Sequence, residues 1–263
     1  MSNKKMKVFF KIVLSLFLIS CIKNIEITNV QNTLPKFQVK LDTVNLFDKQ
    51  RNRIIPVAFY FPKTNQKIEN QKVVILSHGY SENRLGANKS YSFLTKNLAS
   101  KGYFVISVQH ELPTDDLIPK TGIPKIVRLP FWKRGTENIL FVLNEIKKTK
   151  PKLDYKHLIL IGHSNGGDIS VLFAHKYPNL VDKIISLDNR RMELPRTKQP
   201  RIYSLRSSDQ PADEGVLPTL MDQKKFEIKI IKLPNTIHND MNDRGNTRQK
   251  KEINNYIMEF LND

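Results

Sequence analysis

Short runs of apolar residues recur along this chain, separated by segments with the spacing of amphipathic helices. The first two runs, Lys36–Leu46 and Arg53–Phe61, flank the polar stretch Asp48–Asn52, which predicts an antiparallel hairpin. From residue 72 onward the pattern becomes strand, turn and helix in repeated succession. The predicted strands are Lys72–Ser77, Tyr103–Val108, His157–Ile161, Lys183–Leu187, Arg201–Leu205 and Phe226–Leu233. The predicted helices are Ser90–Ser100, Gly135–Lys148, Ser164–Tyr177 and Lys250–Leu261.

Strands that are apolar at nearly every position are buried on both faces, as in a parallel sheet with helices on either side. With the leading hairpin and the closing helix, this layout resembles the α/β-hydrolase fold. We therefore expect a mostly parallel central sheet, helices on both faces and an antiparallel N-terminal hairpin. The linker Glu111–Lys133 is long for a compact domain and is typical of a lid or a binding wall. Phe131 and Trp132 are candidates for an acyl pocket, with core packing as the alternative.

The most informative motif is Gly162-x-Ser164-x-Gly166, which follows an apolar strand directly and precedes a helix. This strand–turn–helix context is what a nucleophile elbow requires. A serine on so tight a turn has a strained backbone and an exposed hydroxyl, and the residues two positions away must be small. The motif predicts that Ser164 is the nucleophile of a serine hydrolase.

The base is predicted by elimination among six histidines. In this fold the chain order is serine, acid, histidine, with the histidine after the last strand. His238 is the one histidine that lies beyond Ser164 and past the predicted strand Phe226–Leu233, because His175 falls on the helix after the elbow. We therefore expect His238 to be the general base.

Two aspartates compete for the role of the acid. Asp209 follows the strand Arg201–Leu205, and Asp188 follows the strand Lys183–Leu187. A carboxylate at either position could orient the imidazole and stabilise its cation. The usual place is the loop after the penultimate strand, which favours Asp209 and leaves Asp188 as the alternative.

The tetrahedral intermediate of acyl transfer needs two backbone donors. One is expected from Asn165, the residue after the nucleophile. The other is expected from the loop after Lys72–Ser77, with Tyr80 preferred and Gly79 next.

The first 21 residues differ from the rest of the chain: a lysine-bearing start is followed by the apolar run Ile12–Ile19, then Ser20 and Cys21. The run is too short for a membrane-spanning helix and fits the hydrophobic region of a secretory signal. Leu18–Cys21 resembles the lipobox of bacterial lipoproteins, in which the cysteine is acylated. We expect a signal peptide over 1–20, a polar tether over 21–35 and a catalytic domain over 36–263, exported and anchored to a bacterial membrane through lipid on Cys21. An uncleaved anchor helix is the alternative.

Charge and cysteine content constrain the partners. Lys and Arg number 43 against 25 Asp and Glu, which gives a net charge of +18. The basic residues are scattered without a basic block, which favours a solvated surface with weak attraction to anionic lipids and argues against a nucleic-acid partner. Because the chain has one cysteine, an internal disulfide is impossible.

The stretch ILSHGYSENRLGANKSYSFLTKNLASKGYFVISVQHE has a strand ending in HG, a helix ending in LASxGY and a strand ending near a histidine. It resembles the corresponding region of platelet-activating-factor-acetylhydrolase-like and dienelactone-hydrolase-like proteins. The resemblance implies hydrolysis of small-molecule esters with short or polar acyl groups, through an acyl-enzyme and without metal or cofactor. In the acetylhydrolase subgroup the carboxylate follows the earlier strand, which would favour Asp188. The dienelactone hydrolases carry cysteine where this chain has Ser164. A lipoprotein that binds a ligand or partner on this fold without turnover is the alternative function.

Overall fold

The computed structural model describes residues 37–263, so the predicted signal peptide, Cys21 and the tether lie outside the described residues. The strands are β1 Val39–Asp48, β2 Arg53–Pro62, β3 Lys72–Ser77, β4 Phe104–Val108, β5 Asp154–His163, β6 Lys183–Leu187, β7 Arg201–Arg206 and β8 Lys229–Lys232. The helices are α1 Ser92–Ser100, α2 Pro124–Val127, α3 Leu129–Thr149, α4 Asn165–Lys176, α5 Leu220–Phe226 and α6 Thr247–Asn262. Across residues 37–263, no helix combines the length and the apolar character needed to cross a bilayer.

The eight strands form one sheet in the order β1-β2-β4-β3-β5-β6-β7-β8. β2 pairs antiparallel with β1 and with β4, and all other neighbours are parallel. The carboxyl ends of parallel strands meet at one edge of a sheet, which is where ligands bind in open α/β folds. β3, β5 and β6 are neighbours, so the segments that follow them lie side by side. This sheet confirms the predicted α/β-hydrolase fold with its antiparallel hairpin.

Both faces of the sheet are buried, which explains why its strands are apolar at successive positions. In β3, Val73 and Ile75 pack in one apolar cluster, and Val74 and Leu76 pack in another on the opposite face. The first cluster includes apolar residues of α3 and α4, and the second includes residues of α1 and α6. The helices thus hold the sheet from both sides and fix its carboxyl edge.

Two boundaries differ from the predicted ones for local reasons. Phe226 ends α5 rather than starting a strand, because a capping box between Thr219 and Asp222 starts a helix before it. α3 begins at Leu129, six residues before the predicted start, and Pro130 is tolerated there because it lies in the first turn. The segment predicted as the long linker therefore contains α2 and the first turn of α3.

Candidate active site

Ser164 lies on the sharp turn between β5 and α4, with φ 52° and ψ −120°. This conformation is costly for a residue with a side chain, and it persists because the surrounding backbone enforces it. A Cβ atom at Gly162 would lie 2.3 Å from the carbonyl oxygen of Gly166, and one at Gly166 would lie 2.2 Å from that of Ser77. Both glycines are therefore required by close backbone contacts, which is the physical basis of the motif.

Ser164, His238 and Asp188 form a continuous chain of hydrogen bonds. The Oγ of Ser164 lies 2.8 Å from Nε2 of His238, and Nδ1 of His238 lies 2.6 Å from Oδ2 of Asp188. Because a carboxylate can only accept, Nδ1 carries the proton, and Nε2 is free to accept from the serine hydroxyl. The three residues follow β5, β8 and β6, so the common edge of the sheet brings them together.

The environment of Asp188 keeps it charged although it is fully buried. Burial opposes the charge, but hydrogen bonds from His238 and Ser207 and the nearby guanidinium of Arg206 outweigh it, and the pKa of Asp188 lies below its usual value. The Oγ of Ser207 donates at 2.7 Å, and Nη2 of Arg206 lies 2.9 Å from the carboxylate. A fixed negative charge therefore faces Nδ1 of His238, where it can stabilise an imidazolium.

The geometry corrects the preference for Asp209 as the acid. Asp209 accepts a hydrogen bond from the backbone N–H of His238 at 2.7 Å, while Asp188 holds the imidazole. The reason lies in the strand order: β6 is hydrogen-bonded to β5, and β7 is one strand further from Ser164. Asp188 directly follows β6, whereas Asp209 lies three residues past the end of β7. Asp209 therefore holds the loop that carries His238.

A second chain of hydrogen bonds holds the loop that carries His238. Nε2 of His163 lies 3.1 Å from the carbonyl oxygen of His238, and Nδ1 of His163 lies 2.7 Å from Oη of Tyr91. Since the carbonyl can only accept, Nε2 of His163 carries the proton, and the Tyr91 hydroxyl donates to Nδ1. Burial lowers the pKa of His163 to about 3, so this ring is neutral. The chain continues to Gly79, whose amide donates to the Tyr91 oxygen at 2.9 Å.

The backbone amides near Ser164 bear on the predicted oxyanion hole. The amide of Gly79 is occupied by Tyr91, which removes the second choice for the donor after β3. Tyr80 lines the same cavity as Ser164, and within the described residues its amide has no hydrogen-bond partner. Asn165 is the first residue of α4, where amides have no partner inside the helix. Tyr80 and Asn165 thus offer two free amides beside Ser164.

Comparisons with known proteins identify the family of this chain. The sequence model for the alpha/beta hydrolase fold matches residues 72–208, which is just over half of the chain. The chain belongs to the alpha/beta hydrolase family. No curated protein matches it in sequence.

Solved structures similar to this family member include several esterases. A fungal esterase from Rhizomucor miehei matches with a TM-score of 0.62 and 13% identity, covering 90% of this chain and 86% of the esterase. Esterase Est22 matches with a TM-score of 0.61 and 13% identity, covering 88% and 83%. A bacterial heroin esterase matches with a TM-score of 0.56 and 14% identity, covering 83% and 82%. At these identities the likeness establishes the fold alone.

Next to Ser164 of this family member, the side chain of Asn165 is held by hydrogen bonds on two sides. Its Oδ1 accepts from Nε1 of Trp132 at 2.8 Å, and its Nδ2 donates to Oε1 of Glu111 at 3.0 Å. Trp132 is fully buried, so it packs in the core and holds Asn165 instead of lining an acyl pocket. Phe131 stacks against Arg134. The sequence around Glu111 carries no local signal for this contact, because it depends on how β4 packs beside β3.

The raised pKa of Glu111 predicts how the free energy of unfolding changes with pH. Burial raises the pKa of Glu111 to about 7, against the opposing charge of Arg134, so folding favours the protonated carboxyl. That contribution is complete below the unfolded pKa of 4.5 and is lost as the pH rises through about 7. Glu111→Gln should therefore gain about 2 kcal/mol in free energy of unfolding, relative to the wild type, between pH 5 and pH 8.

Urea unfolding of both proteins at several pH values measures this difference. Titratable groups that do not contact Glu111 are common to both proteins, and their contributions cancel in the subtraction. A difference that stays constant from pH 5 to pH 8 would show that Glu111 is charged throughout.

A cavity of about 750 Å³ opens above Ser164 and His238. The loop after β3 forms one wall through Gly79, Tyr80 and Ser81, and the predicted linker contributes Ile118 and Arg128. The hydroxyl of Tyr80 accepts from the Ile118 amide at 3.1 Å, which ties the linker to the loop. Part of the predicted lid or binding wall thus borders the cavity.

Proposed function

We propose that this protein hydrolyses carboxylic esters through an acyl-enzyme on Ser164, with His238 as general base and Asp188 as the acid that orients it. The observation that carries the proposal is the continuous hydrogen-bonded chain from Ser164 through His238 to Asp188. It stands on a nucleophile elbow in a chain of the alpha/beta hydrolase family, beside the free amides of Tyr80 and Asn165.

The reaction follows from these positions. His238 accepts the proton of Ser164 at Nε2 as the serine oxygen bonds to the ester carbonyl carbon. The amides of Tyr80 and Asn165 stabilise the resulting oxyanion, and Asp188 stabilises the imidazolium. The imidazolium then protonates the leaving alcohol as its bond to carbon breaks. Water attacks the acyl-enzyme with His238 again as base, which releases the acid and restores Ser164.

The proposal extends to short or polar acyl groups, because polar and charged residues dominate the cavity wall. Asp188 at the end of β6 also agrees with the arrangement that the acetylhydrolase-like resemblance implies. Three similar structures are named as esterases, which supports an ester substrate. The location proposed for this activity is the outer side of a bacterial membrane, with a lipid anchor on Cys21, as the sequence of the leader indicates.

The test is covalent labelling together with turnover by the full chain. A fluorophosphonate should form one adduct, which tandem mass spectrometry of the tryptic peptide 157–176 should place on Ser164 and not on Ser170. The urea-unfolded protein is the control and should remain unlabelled. p-Nitrophenyl acetate should be hydrolysed faster than its long-chain homologues. A folded protein that is neither labelled nor active on any chain length would instead be a binding protein on this fold.

A further inference from the structure

The cavity above Ser164 has an uneven distribution of charge. Five basic side chains border it, and two acidic side chains do. The basic residues are Arg84, Lys89, Lys120, Arg128 and Arg244, and the acidic residues are Glu82 and Asp243. The cavity is therefore positive before any ligand enters, which attracts anions.

Both carboxylates are already engaged by the protein. Glu82 forms an ion pair with Lys120, with a separation of 3.4 Å. Asp243 accepts from the first two amides of α1, those of Ser92 and Phe93, at 2.9 and 3.0 Å. Among residues 37–263, the other four cations form no ion pair with a carboxylate, so the cavity itself does not neutralise them.

Arg128 is the cation for which this lack of a partner matters most. It lies between α2 and α3 and is half-buried, and its Nε is shielded from solvent without a hydrogen-bond partner. Burial and the nearby positive charge of Arg191 lower the pKa of Arg128. The largest opposing effect on the pKa of Arg128 comes from Asp168, which accepts hydrogen bonds from the backbone amides of Arg191 and Met192. A partly desolvated guanidinium in such a place is unfavourable until an anion binds it.

Arg190 and Arg191, the two cations next to Arg128, have partners of their own. Arg190 donates to Gln210 and to the carbonyl oxygen of Pro211, and Arg191 pairs with Asp213. Neither arginine borders the cavity. Arg128 thus differs from its neighbours in that it reaches the same space as Ser164 and remains unpaired there.

We infer that Arg128 forms a subsite for a carboxylate on the ester substrate, so that the preferred substrates are esters that carry a negative charge. The inference rests on the proposed esterase function and narrows its substrate class. The planar guanidinium can donate two parallel hydrogen bonds to a carboxylate, which fixes orientation as well as charge. Arg84, Lys89 and Arg244 add a general attraction for the anion.

Matched pairs of esters of like shape and different charge test the subsite. The first pair is 4-acetoxybenzoate and 4-acetoxybenzamide, with the charge on the alcohol side. The second pair is the p-nitrophenyl monoester of adipic acid and its uncharged adipamate analogue, with the charge on the acyl side. The full chain should show a kcat/KM about 10- to 100-fold higher for the anionic member of at least one pair, the range expected for a charge-assisted contact.

Arg128→Gln should reduce that ratio to within about twofold of unity, largely through KM, and Arg128→Lys should restore part of it. Arg190→Gln removes the same charge nearby but outside the cavity, and it should leave the ratio unchanged. If wild type hydrolyses both members of each pair equally well, the subsite is refuted and the esterase stands. An equal loss of preference in Arg190→Gln would also refute it, because net charge would then be the cause. If no ester is hydrolysed, both the function and the subsite fail.

Discussion

Ser164→Ala should lower kcat for p-nitrophenyl acetate by about 10⁶-fold, the loss expected when the nucleophile of a hydrogen-bonded triad is removed. The hydroxyl is the atom that Nε2 of His238 faces at 2.8 Å, and no other group occupies that position. Ser81→Ala is the matched control, because Ser81 borders the same cavity and, within residues 37–263, its hydroxyl takes part in no hydrogen bond. Its kcat should stay within about threefold of wild type, as expected for a surface substitution.

Steady-state rates and fluorophosphonate labelling of the three proteins measure this effect. Ser164→Ala should lose both activities while its thermal unfolding remains close to that of wild type. Residual turnover within about 100-fold of wild type would mean that another group attacks the ester, and the proposed acyl-enzyme on Ser164 would then be wrong.

Asp188→Asn should lower kcat by about 10⁴-fold, whereas Asp209→Asn should change it by less than about 10-fold. An amide at position 188 can present its NH₂ group to Nδ1, which favours the tautomer with the proton on Nε2, the atom that must accept from Ser164. An amide at position 209 keeps the oxygen that accepts from the backbone of His238. The two substitutions are chemically identical and separate the two roles.

The measurement is kcat and the labelling rate of both variants, with unfolding curves alongside. Asp188 also binds Ser207 and Arg206, so some loss of stability is expected in Asp188→Asn. If stability falls, the labelling rate of the protein that remains folded still measures the effect of Asp188→Asn on Ser164. A large loss in Asp209→Asn with a small one in Asp188→Asn would reverse the assignment.

Ser164 and His238 are predicted from the sequence alone, because their signals are local or depend on chain order. The elbow lies within five residues, and His238 is the one histidine after the last strand. The choice between Asp188 and Asp209 depends on which strand lies next to β5. Strand order is set by packing across the whole sheet, and both aspartates follow a strand of similar character. The local sequence pattern therefore does not show which strand lies next to β5, and that neighbour decides between Asp188 and Asp209.

Three other residues of the site also escaped prediction. Tyr91 and Glu111 act through contacts with His163 and Asn165, which lie 72 and 54 positions away along the chain. Arg128 acts through the cavity wall to which it contributes. A tyrosine in a helical segment, a glutamate after a strand and an arginine before a helix are common in any α/β protein. Their roles follow from tertiary packing, which a single sequence does not encode at short range.

The pattern Gly-x-Ser-x-Gly allows any residue before the serine, but in this chain the contacts around His163 restrict which side chains fit there. The side chain there must accept from Tyr91 on one side and donate to the carbonyl of His238 on the other, and it must do so without charge. A neutral imidazole satisfies all three conditions within one rigid ring, while phenylalanine can form neither bond and lysine or arginine would bring a buried cation. The variable residue of the motif therefore links Tyr91 to the loop that carries His238.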